Sequence, residues 1–323
     1  MYSGLLDPTI TNAIVYGCLY AMMCVGLTLT YMTTKVPNFA HANFVVVAIF
    51  SGASAFIFGG FATPYLGLPV AALAGGASAV LLYLLVLKPL TRRGANLVVL
   101  MIATLAAGIV FDSAVAATFY TYLQSVYSRF LANKGYYLYS LNQLPDFNVF
   151  GIKGILIVAP VALILMTVAI SLLLRTRFGV AMRAAIENPN LARILGIDVE
   201  KVYLVSWFIA GVLAGIGGGL YSIQSPSPPT TSSNIIVDIF SGVVLGGISS
   251  IYGGIIGGFI VGFSETFVIR ELTVFADTYW GFAAGSQVAA FQKGIPLAIM
   301  IITLLVIPKG LTSVNWRKLL RLG

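Results

Sequence analysis

The sequence predicts an all-α, polytopic transmembrane helical bundle with about eight hydrophobic segments, one of them split by a glycine-rich break. Three observations predict it. Hydrophobic residues make up 59% of the 323 residues and charged residues only 9%, against roughly 25% charged in a soluble protein. Mean hydropathy is +0.98. Apolar runs of about 20 residues, enough to cross a bilayer core as helix, recur along the whole chain. The same composition excludes a soluble globular protein and a disordered chain, which needs low hydrophobicity and high charge. One histidine, His41, leaves no His-based metal cluster. Cys18 and Cys24, in one apolar run, make no disulfide framework. No cofactor is expected.

The runs, in order, are Thr9–Met32, Pro37–Gly60, Gly67–Leu90, Ala95–Tyr122, Gly154–Leu174, Val202–Ile223, Ile235–Ile269 and Gly285–Ile307. The first is too long for a signal-peptide core and is preceded by Asp7 rather than a basic stretch, so it is expected to stay as a span. The seventh would be about 52 Å long as one helix. Its stretch from Gly246-Gly247 to Gly253-Gly254 predicts a shorter apolar piece, a Gly/Ser turn and then a full span. Either two crossings or a re-entrant half-helix fits. Non-helical backbone at membrane depth is tolerated only inside protein or along a cavity.

Lys and Arg set the sides. Lys35, Lys88, Arg92, Arg93, the cluster from Arg175 to Lys201, and Lys309, Arg317, Lys318 and Arg321 fall on one set of loops. Arg129, Lys134, Lys153, Arg270 and Lys293 fall on the other. The richer side is expected to be cytoplasmic, with the N-terminus outside and the C-terminus inside. The net charge of +8 is then mainly a topology signal, and no nucleic-acid partner is expected. Membrane lipid is a partner by composition. The outer loop Thr121–Lys153 carries Tyr122, Tyr127, Tyr136, Tyr137 and Tyr139. It reads as an interfacial aromatic belt or as a docking surface for an outer partner.

The whole chain, residues 1–323, reads as one transmembrane domain with a structured cytoplasmic loop at 175–201. In that loop Asn188 and Pro189 have the pattern of an N-cap and first helical residue. Leu191, Ala192, Ile194 and Leu195 form a short apolar face. Gly196 stands where a glycine ends a helix, and Asp198 can cap the next one. Arg183 and Arg193 flank the face. An apolar face outside the bilayer needs a cover, either lipid headgroups or a partner protein.

Three stretches carry a family resemblance: RAAIENPNLARILGIDVEK running on through Ser222, GLTLTYMTTKVPNFAHANFVVVAIF at Gly26–Phe50, and GVVLGGISSIYGGIIGGFIVGFSETF at Gly242–Phe267. Together they resemble the permease subunits of ABC importers for branched-chain amino acids. The resemblance implies a non-enzymatic subunit in a prokaryotic plasma membrane, working by alternating access beside a second permease subunit, the same chain or a related one. It implies two cytoplasmic ATPase subunits and an extracytoplasmic solute-binding protein. The coupling helix would be Pro189–Leu195, with Arg183, Asn188, Pro189, Leu191, Ile194, Leu195 and Gly196 contributing. The chain has no G-x-x-x-x-G-K-S/T phosphate loop, so any ATP hydrolysis by that route lies on another chain.

Polar residues inside apolar runs are costly and therefore informative. Asn38, Phe39, His41 and Asn43 cluster at the start of the second run. If helical, Asn38 and His41 share one face and Phe39 and Asn43 an adjacent one. Asn and neutral His offer the donors and acceptors a zwitterionic amino acid needs. Equally, Asn38 can cap the helix and His41 can bond a neighbouring backbone near the interface. Asp112, mid-run, either pairs with a cation, faces the path or is a neutral carboxyl hydrogen-bonded in the bundle. Asp238 and Glu265 read as interfacial, and Lys293 as snorkelling outward. Gly246 and Gly247 are expected to line a path, whereas Gly253, Gly254, Gly257, Gly258 and Gly262 are expected to pack helices. Two rival functions stand beside the importer: another small solute in the same family (urea, other amino acids, short amides) and an autonomous ion-coupled secondary transporter. No convergent catalytic set supports an enzyme.

Overall fold

Helix α1, Pro8–Thr34, is apolar all round its circumference and is therefore the helix the others surround. Its most apolar window is 89% buried. A computed structural model describes residues 7–118, 126, 129, 143–149, 152–280 and 284–313. The five tyrosines of the expected belt, and Arg317, Lys318 and Arg321, lie outside the described residues.

After α1 come α2 (His41–Gly59), α3 (Pro64–Arg92) and α4 (Leu97–Thr118). Helix α3 is interrupted by a π-helical turn at Tyr83–Leu87. A minimal antiparallel hairpin, β1 (Asn148–Val149) and β2 (Ile152–Lys153), leads into α5 (Ile155–Arg175). The charged loop folds as α6 (Arg177–Glu187) and α7 (Pro189–Ile194). Then follow α8 (Val199–Gln224), α9 (Thr231–Gly246), α10 (Ile251–Trp280), α11 (Ala284–Ala289) and α12 (Gly294–Val306). Among the described residues eight helices are long and apolar enough to cross a membrane.

The seventh run divides as expected. Helix α9 has 16 residues, about 24 Å, short of the roughly 30 Å hydrocarbon core. It ends at Gly247, whose φ of 109° suits only glycine. The chain turns there and returns as α10, packed along α9.

Lys35, Lys88, Arg92 and Arg193 surround one cavity, which defines a basic face of the bundle. Gly247 and Lys309 are at that face too, because α10 begins beside the last turns of α1, where Gly254 meets Thr28.

Two arms repeat one another: α1-α2-α3-α4 and α8-α9-α10-α12. The sequence Ile49-Phe50-Ser51-Gly52 of α2 recurs as Ile239-Phe240-Ser241-Gly242 of α9. The turn that starts α2 bonds His41 N–H to Asn38 O and Asn43 N–H to Ala40 O. The turn that starts α9 bonds Thr231 N–H to Pro228 O and Ser233 N–H to Thr230 O. Ala40 has φ −80°, ψ 5°, and Thr230 has φ −82°, ψ 3°. Gly52 packs on Gly67 of α3 as Gly242 packs on Gly257 of α10. Helix α3 lies against α8 as α10 lies against α1. Helix α1 ends at the basic face and α8 begins there, so the arms run in opposite senses, an inverted repeat. Small residues let the backbones approach: Gly75 meets Gly211 and Gly215, and Gly258 meets Ala21. The packing reading of the glycines therefore holds.

Candidate functional site: the meeting of two broken spans

The second run begins as irregular backbone, turns at Phe39–Ala40 and becomes helix only at His41. Asn38 and Phe39 precede the helix, so they share no helical face with His41 and Asn43. Asn38 Oδ1 accepts from Ala40 N–H at 3.1 Å, a local turn rather than a cap on α2. His41 Nε2 lies 3.0 Å from Met23 O, about three turns before the end of α1. A carbonyl partner requires Nε2 to donate, which places the proton on that nitrogen. His41 thus bonds a neighbouring backbone, as one reading expected, but deep in the bundle and not near its edge. The chain between Lys35 and Ala40 must cross this depth without helix.

Helix α9 starts likewise at depth. Helix α8 ends beside α1's first turns, where Gln224 Nε2 donates to Asn12 Oδ1 at 3.2 Å. The three prolines of Ser225–Thr230 keep the returning chain extended. The two breaks enter from opposite faces, and their helix starts meet in the middle.

Asp112 of α4 joins them. Asn43 Nδ2 donates to Asp112 Oδ1 at 2.6 Å and to Gly108 O at 3.0 Å. Ser232 Oγ, in the first turn of α9, lies 2.8 and 2.7 Å from the two Asp112 oxygens. Phe39 N–H donates to Thr104 Oγ1 at 3.2 Å, and its ring stacks on Phe240 with centroids 4.9 Å apart. Asp112 therefore has neutral donors and no ion pair among the described residues. Asn38 Nδ2 and His41 Nδ1 are buried with no partner among the described residues. The junction groups Phe39, Asn43 and Asp112; the His41 ring turns away from it, toward Met23 and Gly26 of α1.

Gly246 and Gly247 do not join that group. They lie at the other end of α9, at the basic face, where Thr312 Oγ1 donates to Gly246 O at 3.0 Å.

A second polar centre corrects three expectations. Asp238 and Glu265 are buried rather than interfacial, and Lys293 turns inward rather than snorkelling. Its Nζ lies 2.5 Å from Asp238 Oδ2 and 2.8 Å from Glu265 Oε1. Gln292 Nε2 donates to the same Glu265 oxygen at 2.9 Å. The cluster ties α9, α10 and the start of α12 together. Its sequence signal was three charges inside successive apolar runs, a pattern that calls for mutual pairing.

The charged loop is braced and capped. Asn188 Oδ1 accepts from Leu191 N–H at 3.0 Å, and Pro189 opens α7. Gly196 ends it at φ 81°. Arg183 donates to Leu174 O at 2.6 Å, closing the last turn of α5. Asp198 Oδ1 accepts from Lys201 N–H at 3.1 Å and caps α8. That bond holds the Asp198 carboxyl below its usual range. Ala192 is buried against the body and leaves the apolar face, which consists of Leu191, Ile194 and Leu195. Ile194 and Leu195 are 81% and 70% exposed.

Residues 9–304 match the family described as branched-chain amino acid transport system, permease component. A probable branched-chain amino acid transport permease protein LivH of Methanocaldococcus jannaschii is 39% identical over 96% of this chain and 94% of its own length. The permease protein BraD of a high-affinity branched-chain amino acid transport system in Pseudomonas aeruginosa is 25% identical over 94% of each chain. A nucleoside ABC transporter permease protein, NupC of Lactococcus lactis, is 38% identical over 61 residues, 19% of this chain and 19% of its own length. No solved structure matches.

Proposed function

The chain belongs to the branched-chain amino acid transport permease family, a membrane permease subunit of an ABC importer, and from that premise we propose how this chain carries its solute. Its cargo is a branched-chain amino acid, the solute for which both relatives that match along most of their length are named. The path passes the junction of α2 and α9, where Asn43, Asp112 and Ser232 offer weak polar contacts to an ammonium or carboxylate. Such contacts suit a passage that must release what it receives.

The observation that carries the coupling half of this reading is the exposed apolar tip of α7. Three large aliphatic side chains stand outside the bundle on a helix fixed at both ends by caps. A groove on an ATPase subunit is the cover they fit. A second permease subunit, two ATPases and an outer solute-binding protein complete the assembly. The basic face is then cytoplasmic and the N-terminus outside, in a prokaryotic plasma membrane.

The test is reconstitution with the ATPase and binding-protein subunits. Leu191→Glu combined with Leu195→Glu is expected to abolish ATP-driven leucine uptake while membrane insertion and thermal stability stay at the parent level. Gly196→Pro, which cannot hold the φ of 81° that ends α7, should also abolish uptake with membrane insertion intact. Normal uptake by either variant removes α7 from the coupling. Uptake by the isolated chain under an ion gradient without ATP would establish the secondary transporter instead. The nucleoside relative keeps a second cargo class in view, and competition by a nucleoside but not by leucine would select it.

A further inference from the structure

The basic face holds a cavity of about 520 Å³ between the end of α1, the π turn of α3, α7 and the start of α8. Lys35, Lys88, Arg92 and Arg193 reach it, against the single carboxylate of Glu200. Glu200 already serves two cations, Lys88 Nζ at 2.8 Å and Arg92 at 2.6 Å. Lys35 and Arg193 have no carboxylate partner among the described residues. The cavity is therefore net positive in its own right.

Lys35 ends α1 at φ 57°, its N–H donating to Tyr31 O at 2.7 Å, so the cavity opens where that helix stops. The π turn supplies Tyr83 and Leu87 to the wall, and π turns recur at functional sites. On the outer side of the same turn Leu84 and Leu85 are exposed, as is Leu81 one turn earlier.

We propose that this cavity binds the phosphate of an anionic phospholipid, with Lys35 and Arg193 as its unshared cations and the acyl chains lying along Leu81, Leu84 and Leu85. A planar guanidinium beside an ammonium suits a phosphate. The position at the ends of the spans is headgroup level, and leucines facing outward from the same turn favour a lipid over a free anion. Arg193 stands on α7, so the lipid bridges that helix to α1 and α3. This inference is independent of which solute the permease carries.

The test is native mass spectrometry of the purified full-length chain released from phosphatidylcholine nanodiscs containing phosphatidylglycerol. The parent is expected to retain phosphatidylglycerol and not phosphatidylcholine. Lys35→Gln combined with Arg193→Gln should lower retention roughly thirtyfold, at about a fivefold loss per basic residue near a membrane surface. Glu200→Gln frees Lys88 and Arg92 and should raise retention, a gain that misfolding does not produce. Equal retention by all variants overturns the proposal. Displacement of the lipid by inorganic phosphate assigns the site to a soluble anion and overturns the lipid assignment, as does failure to retain phosphatidylglycerol at all.

Discussion

The two arms share one backbone plan and hold it together with different chemistry. Where the first arm meets the second, Asp112 is met by the amide of Asn43 and, from the second arm, the hydroxyl of Ser232. In the second arm, Asp238 and Glu265 close on the ammonium of Lys293. A lone carboxylate with neutral donors is an adaptable contact. A half-buried cation closing on two buried carboxylates is not, because losing it strands both acids. The first arm's carboxylate can therefore exchange partners where the second arm's cluster cannot.

The comparison breaks first at Lys293. Lys293→Met strands two carboxylates and should cost about 3–5 kcal/mol, seen as a large fall in Tm in detergent. Adding Asp238→Asn and Glu265→Gln should recover most of it. A single Lys293→Met variant that melts with the parent would show the charges to be uncoupled.

The repeat itself is probed at equivalent glycines. Gly67→Ala and Gly257→Ala each drive a methyl into the backbone of a facing glycine, Gly52 and Gly242. Each should cost about 1–3 kcal/mol in the same unfolding assay, and the two should be alike. A tolerated substitution in one arm alone would mean that the arms are not packed equivalently.

Asp112→Asn should be milder, about 1 kcal/mol, since an amide oxygen still accepts from Asn43 and Ser232. A loss matching that of Lys293→Met would erase the contrast between the arms. The smallest effect belongs to the caps of the equivalent helices α1 and α8. Backbone N–H groups of Thr9 and Lys201 hold Asp7 and Asp198 below the ordinary carboxylate value. A depressed pKa stabilises the fold above the unfolded value of 3.8 and loses that contribution as pH falls through the folded one. The double variant Asp7→Asn, Asp198→Asn should therefore match the parent at low pH and trail it slightly at neutral pH. A uniform offset at all pH values would assign the effect to packing.

Much of this molecule was legible in its sequence. The spans were, because twenty apolar residues in a row have few other uses. The short helix α7 was, because Asn188, Pro189, Gly196 and Asp198 are local signals acting within a few residues. The start of α2 was misplaced, because composition alone does not show where an apolar run stops being helical. Met23 supplies a backbone acceptor to His41 from another helix, a contact no local spacing reveals. Lys293 was read alone, and its meaning depends on carboxylates from two other helices. The repeat stands in the chain as a four-residue echo, too short to be noticed without the paired turns that frame it.

The placement of Lys293 also bears on how the protein is made. Asp238 and Glu265 leave the ribosome well before their counter-ion does. Until α12 is synthesised, the insertion machinery must harbour two unmatched acids in otherwise greasy segments. The first arm imposes no such wait on its own helices. Nascent chains stalled just short of Lys293 should therefore remain engaged with the translocon, and release of the second arm into the lipid should coincide with arrival of that one lysine.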